Sequence, residues 1–217
     1  YFGDSSFLSS ALSDLGLTEW RDKIFLSPNA QLYTLAWWVI VLCFFYFALP
    51  VFIIKLFFHE RLSDYGLRLK GAFKDYSLYV IMLIVMIPLV FYFSRTESFQ
   101  ARYPFYDLGP GETFYPNLFI WEALYFLQFC TLEFFFRGFM VHGTKHRFGF
   151  YSVFVMTIPY CMIHFGKPLP ETIAAILAGI ILGILSLKSR SILLGIAIHY
   201  SVAIAMDLCA LWQKGLL

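Results

Sequence analysis

Residues 32–54 read LYTLAWWVIVLCFFYFALPVFII, 23 positions without a single charge. Coiled as a helix at about 1.5 Å per residue, such a run crosses a hydrocarbon core about 30 Å thick. The rest of the chain agrees with a bilayer as its solvent. Hydrophobic residues make up 60% of the 217 positions, aromatic residues 21% and charged residues only 14%. Soluble domains carry about one quarter charged residues, and the mean hydropathy here is +0.71. Twenty-six Phe and five Trp suit lipid-facing and interfacial surfaces. The fold class that follows is all-α, a polytopic helical membrane protein.

Working outward from this first span, five more apolar segments read at roughly 76–94, 117–141, 149–165, 171–187 and 191–212. About six transmembrane helices are expected. Residues 1–30 form an amphipathic N-terminal segment in which Phe7, Leu8, Leu12, Leu15 and Leu17 offer the apolar face of an interfacial helix. Residues 31–95 hold two scaffold helices, and 96–116 an outer loop punctuated by Pro104, Gly109, Pro110, Gly111 and Pro116. Residues 117–212 make a four-helix core. In the fifth segment Ala175, Gly179 and Gly183 form a small-residue ridge that lets a neighbouring helix approach closely.

The densest basic stretch, Lys55, Arg61, Arg68, Lys70 and Lys74, lies between the first two spans. Placing it in the cytoplasm puts Lys145, Arg147, Lys188 and Arg190 there too, as the positive-inside rule prefers. The localisation expected is a bacterial inner (plasma) membrane, with membrane lipids as immediate partners. A net charge of +2 gives no reason to expect a nucleic-acid partner. Cys43, Cys130, Cys161 and Cys209 all sit in apolar runs without metal-ligand spacing, so no disulfide is expected.

Ionisable groups inside a span cost roughly 2.5–3.5 kcal/mol each on insertion scales and mark a function or a pair. They are Glu122, Glu133, Arg137, His164, Glu171, His199 and Asp207, and all fall in the last four segments. Glu133 and Arg137 are four apart and share a helix face, within Thr131-Leu-Glu-Phe-Phe-Phe-Arg-Gly138. Glu122 reads as a hydrogen-bonding partner nearer the outer side. His199 lies in an otherwise apolar run, with Asp207 about 80° further around the helix. Two histidines and a carboxylate from three helices can assemble a base, an oxyanion donor or a metal site. The H-E-x-x-H helix of zinc proteases is absent.

Glu133-x-x-x-Arg137, Tyr160-x-x-x-His164 and His199, in this order on successive segments, resemble the CAAX prenyl protease and bacteriocin-processing family of intramembrane proteins. The resemblance covers about residues 117–212. Leu62-Ser-Asp-Tyr-Gly-Leu-Arg68 is similar to the short element that often precedes the core in bacterial members. The family signature is E-E-x-x-x-R, F-x-x-x-H and H-x-x-x-N or H-x-x-x-D. Here Leu132 stands at the first-glutamate position, Ala203 at the Asn/Asp position and Tyr160 in place of Phe.

The resemblance implies an intramembrane endopeptidase with Glu133, Arg137, His164 and His199 as its catalytic set. It implies a glutamate that activates water and histidines that hold the oxyanion. With Leu132 at the usual base position, the base is Glu133 itself or a supporting carboxylate, Glu171 or Asp207. The implied mechanism requires no metal and no other cofactor; a divalent metal, if used, would fall to Glu133, His164 and His199. His164 reaches the depth of the others only if its helix enters the membrane late, ends short, and turns at Gly166–Pro170, which also brings Glu171 in.

Two functions follow. One is peptide-bond hydrolysis in a membrane-associated or lipid-modified substrate, with the site open to the cytoplasm. The other is an inactive member serving as a membrane scaffold, immunity protein or membrane-protein partner. A transporter is disfavoured, because no inverted repeat is evident.

Overall fold

The computed structural model describes residues 2–109 and 112–217, so Pro110 and Gly111 of the expected outer loop lie outside the described residues. Among the described residues every regular element is helical. Two short helices, α1 (Ser5–Asp14) and α2 (Thr18–Phe25), precede the first span. The N-terminal segment is therefore two helices where one was expected. Asp4 caps α1 by accepting the Ser6 N–H at 2.8 Å. Trp37 Nε1 donates to Phe2 O at 2.9 Å, and Phe2 stacks on Phe45, which holds the segment along the first span.

Helix α3 (Ala30–Phe58) is the first long apolar helix, and α4 (Tyr76–Phe93) the second. Helix α5 (Glu97–Gln100) is a single turn in the loop that follows. Helix α6 starts at Asn117, is α-helical over Asn117–Glu133, and widens into π-helix over Phe134–His142 before a last α turn at Gly143–Phe148. The chain reverses at Gly149, whose φ of +56° with ψ of −130° suits glycine alone. Helix α7 (Ser152–Met162) follows, then α8 (Leu169–Ser189) and α9 (Leu193–Gln213).

The fourth apolar segment is shorter than a span. Eleven residues give α7 a length of about 16 Å, roughly half the hydrocarbon thickness. Among the described residues five helices are thus long and apolar enough to cross a membrane, counting 117–162 once. The turn after α7 carries His164, with Gly166 at φ +85°. It lies beneath the 96–116 loop, because Tyr103 of that loop donates its hydroxyl to Glu171 at 2.7 Å. The loop packs inward, burying Phe99, Tyr103 and Tyr106.

Burial separates scaffold from core. On α4 only Tyr79 and Val90 are buried, whereas α6 buries seven residues between Trp121 and Glu133. The ridge on α8 serves packing: a Cβ on Gly179 would lie 3.1 Å from Thr157 and Tyr160, and one on Gly183 2.8 Å from Val153. All three partners are on α7, so the missing side chains set the α7–α8 spacing. The Leu62–Arg68 strap binds the basic end together. Its Gly66 carbonyl accepts Ile192 N–H at 3.1 Å, and Ser191 Oγ donates to Arg68 O at 2.9 Å.

The strap also rests on Gly138, where a Cβ would stand 2.7 Å from the Tyr65 carbonyl oxygen. Backbone cannot yield there as a side-chain tip would. Gly138→Ala is expected to destabilise the fold by about 1–3 kcal/mol, measured as a lower melting temperature of the purified chain in detergent. Wild-type melting would show that the contact imposes no constraint.

Candidate active site

The polar centre is built around one carboxylate. Glu133 ends the α-helical part of α6 and is 0% exposed. Its Oε1 lies 2.9 Å from Arg137 Nη1 and accepts from His199 Nδ1 at 2.8 Å. The helical periodicity anticipated the first contact, and α9 supplies the second across the bundle. Gly195, one turn before His199, makes the meeting of helices possible: a Cβ there would lie 2.9 Å from Glu133 Oε2. Glu133 Oε2 itself is buried without a hydrogen-bond partner among the described residues.

Arg137 is 1% exposed and touches Glu133 without a well-directed hydrogen bond. Its guanidinium instead covers the Tyr160 ring, 3.9 Å from the ring centroid. A cation desolvated on an aromatic face gains about 2 kcal/mol or more, which offsets part of its burial cost. Arg137 is thus held between the carboxylate of its own helix and an aromatic ring of α7.

The two histidines flank Tyr160. The His164 ring is 4.8 Å and the His199 ring 6.2 Å from the Tyr160 ring, centroid to centroid. His164 Nδ1 donates to the Tyr160 carbonyl at 2.9 Å, one turn back on its own helix end. His199 Nδ1 must likewise carry a proton to meet a carboxylate. In the neutral form of either ring the free lone pair is therefore on Nε2.

Both histidines line a cavity of about 820 Å³. Most of its wall is apolar and comes from α4, α6, α8 and α9. Ile81 and Val85 of α4 and Leu177 and Ile181 of α8 line it and are exposed. The cavity therefore opens sideways between α4 and α8, toward the lipid-facing side. Leu132 and Ala203 also line it, so the signature positions occupied by apolar residues here face the same space as the histidines.

Glu133 is not among the lining residues; it stands behind His199. Glu171 does line the cavity, bound to Lys167 at 2.7 Å and to Tyr103. Asp207 lies elsewhere: its carboxylate accepts from Trp121 Nε1 at 3.3 Å and Phe105 N at 3.4 Å, and ties the 96–116 loop to α9. Glu122 pairs with Tyr200, which donates to its carbonyl at 3.0 Å. The metal set Glu133, His164 and His199 does not form, for among the described residues no three His, Cys, Asp or Glu side chains converge on one point. His164 is committed to its own helix end while Glu133 and His199 meet each other.

Two lining or supporting residues escaped the sequence reading. Gln128, one turn before Leu132, is buried on the cavity wall with its Oε1 unpaired. It was visible only as a lone amide in an aromatic run. Gly195 was visible as the glycine four residues ahead of His199, a spacing that puts both on one face.

Residues 114–205 match the family model described as Type II CAAX prenyl endopeptidase Rce1-like. No curated protein and no solved structure matches the chain. The match runs from just before α6 into α9, ending at residue 205, and leaves α3 and α4 outside it.

A buried carboxylate depends on its cation. Arg137→Met leaves the Glu133 charge with only the His199 N–H against it and is expected to cost about 3–5 kcal/mol. Glu133→Gln/Arg137→Met, which removes the stranded charge and keeps an acceptor for His199, should lose less than the sum of the single variants. Unfolding in detergent measures both, and strict additivity would sink the pairing.

Proposed function

From the match of residues 114–205 to the CAAX prenyl endopeptidase Rce1-like family model, we propose that the chain is an intramembrane endopeptidase acting on a membrane-associated peptide or lipid-modified tail. The observation that carries this reading is His199, fixed by Glu133 at 2.8 Å and facing an apolar cavity beside a second histidine. An acceptor nitrogen held by a carboxylate is the arrangement of a general base.

In this reading His199 Nε2 takes a proton from a water in the cavity, and the hydroxide attacks the peptide carbonyl. Glu133 keeps the ring in the Nδ1–H tautomer and stabilises the imidazolium, while Arg137 holds Glu133. The proton then passes from His199 to the leaving amine. Neutral His164 can only accept at Nε2, so it orients the attacking water, and the oxyanion falls to the Gln128 amide N–H on the same wall. One such donor is worth roughly 3–4 kcal/mol of barrier. Glu171 is tied to Lys167 and Tyr103 and closes the polar end of the cavity. We place the basic loops in the cytoplasm of a bacterial cell.

A second reading is favoured by Leu132 and Ala203 on the cavity wall: a catalytically inactive member that binds a membrane protein or peptide in the same space. Membranes carrying wild type, His199→Ala, Gln128→Leu or no protein can separate the two, with new peptide termini read by mass spectrometry. Hydrolysis predicts termini that vanish with His199→Ala and fall by about 10²–10³ with Gln128→Leu. No wild-type-dependent termini, together with a crosslinked membrane protein lost in His199→Ala, would establish the second reading.

A further inference from the structure

At the basic end of the bundle, away from the histidine cavity, lies a separate polar pocket of about 240 Å³. Four segments distant in the sequence build it: the end of α3, the Leu62–Arg68 strap, the last turn of α6 and the end of α8. The strap is fixed on both sides, by Gly138 below it and by the Gly66–Ile192 hydrogen bond beside it. The strap side of the pocket is therefore pinned at two points.

Its charges are unevenly partnered. Arg68, Lys145 and Arg190 line it, and none of them meets a carboxylate within ion-pair distance among the described residues. Arg68 spends only Nε, on the Lys70 carbonyl at 2.9 Å, which leaves its two terminal nitrogens open. Lys145 reaches only the buried His142 ring, at 3.5 Å. Two carboxylates share the pocket and hold only neutral donors, Glu60 the Tyr65 hydroxyl at 2.5 Å and Asp64 the Arg61 N–H at 3.3 Å, so three cations stand against two anions and the excess is positive.

Arg190 adds an independent sign. It terminates α8 in the left-handed region, at φ +56° and ψ +28°, where glycine is the usual residue. A side chain retained there costs of order 1 kcal/mol, and this one lines the pocket. The surroundings are those of a bilayer surface. Phe57, Phe148 and Tyr151, at the ends of neighbouring elements, are all exposed, as residues at the headgroup level commonly are.

The geometry points to a binding site for a phosphate group, clamped by Arg68, Lys145 and Arg190. Guanidinium forks match phosphate oxygens in pairs. The phosphate belongs to an anionic lipid headgroup or to a small soluble phosphate, and this end of the bundle meets both.

Native mass spectrometry of the full chain in detergent, with phosphatidylglycerol or phosphatidylcholine added, reads the lipid arm. Thermal melting with millimolar inorganic phosphate reads the soluble arm. The wild type should retain phosphatidylglycerol over phosphatidylcholine, or be stabilised by phosphate; either result supports the site and identifies the source. Arg68→Gln/Lys145→Gln/Arg190→Gln should weaken that binding by about a hundredfold. Lys70→Gln/Lys74→Gln/Arg147→Gln, with the same charge change outside the pocket, should leave it unaltered. Equal loss in both triple variants, or no preference and no phosphate effect in the wild type, overturns the proposal. Should the pocket triple variant fail to fold, Arg190→Gly decides. It relieves the strained backbone, so it should melt at or above wild type while binding about fivefold more weakly; unchanged binding also overturns the site.

Discussion

A carboxylate with no exposed surface, inside a bundle that lipid surrounds, is tolerable only with its charge answered at contact distance. Glu133 meets that demand with Arg137 one turn on and His199 across the bundle, and each answer constrains something larger. Arg137 needs a desolvated surface for its own charge and takes the Tyr160 ring, which fixes where α7 must lie. His199 can reach Glu133 only because Gly195 leaves α9 bare on that face. Three helices are thus positioned by one ionised group, and the widening of α6 into π-helix begins at the residue after it. π-Helical turns recur where a helix must present functional side chains.

Around this centre the rest of the core is spaced by absences. Gly179 and Gly183 bring α8 onto α7, and Gly138 admits the strap backbone onto α6. Helices α3 and α4 contribute differently, burying few residues and walling the cavity from the lipid side. The polar centre and the cavity are consequently different objects. Ionic contacts hold the helices together behind the histidines, and apolar side chains line the space in front of them.

Most of the architecture was legible in residue type and spacing. Uncharged runs marked the spans, and the Glu133–Arg137 interval marked a shared face. The ridge Ala175, Gly179 and Gly183 marked a close helix contact. The length of α7 was harder, since residues 149–163 carry no charge and only Gly149 and the His164–Pro170 turn betray the short helix. The direction a side chain faces across the bundle was not legible. Nothing in the local sequence distinguishes Glu171, which reaches the cavity, from Asp207, which ties down a loop. The same holds for Glu133, whose place behind His199 is a property of α9 and Gly195.

The sideways opening between α4 and α8 has a consequence for competition. A cavity of about 820 Å³ with an apolar wall and a mouth onto the bilayer faces acyl chains at a concentration no soluble ligand attains. Any ligand that enters by that mouth competes there with the lipid tails around it. Apparent affinity becomes a property of the pair, protein and bilayer. Chain length and unsaturation of the host lipid would enter that competition.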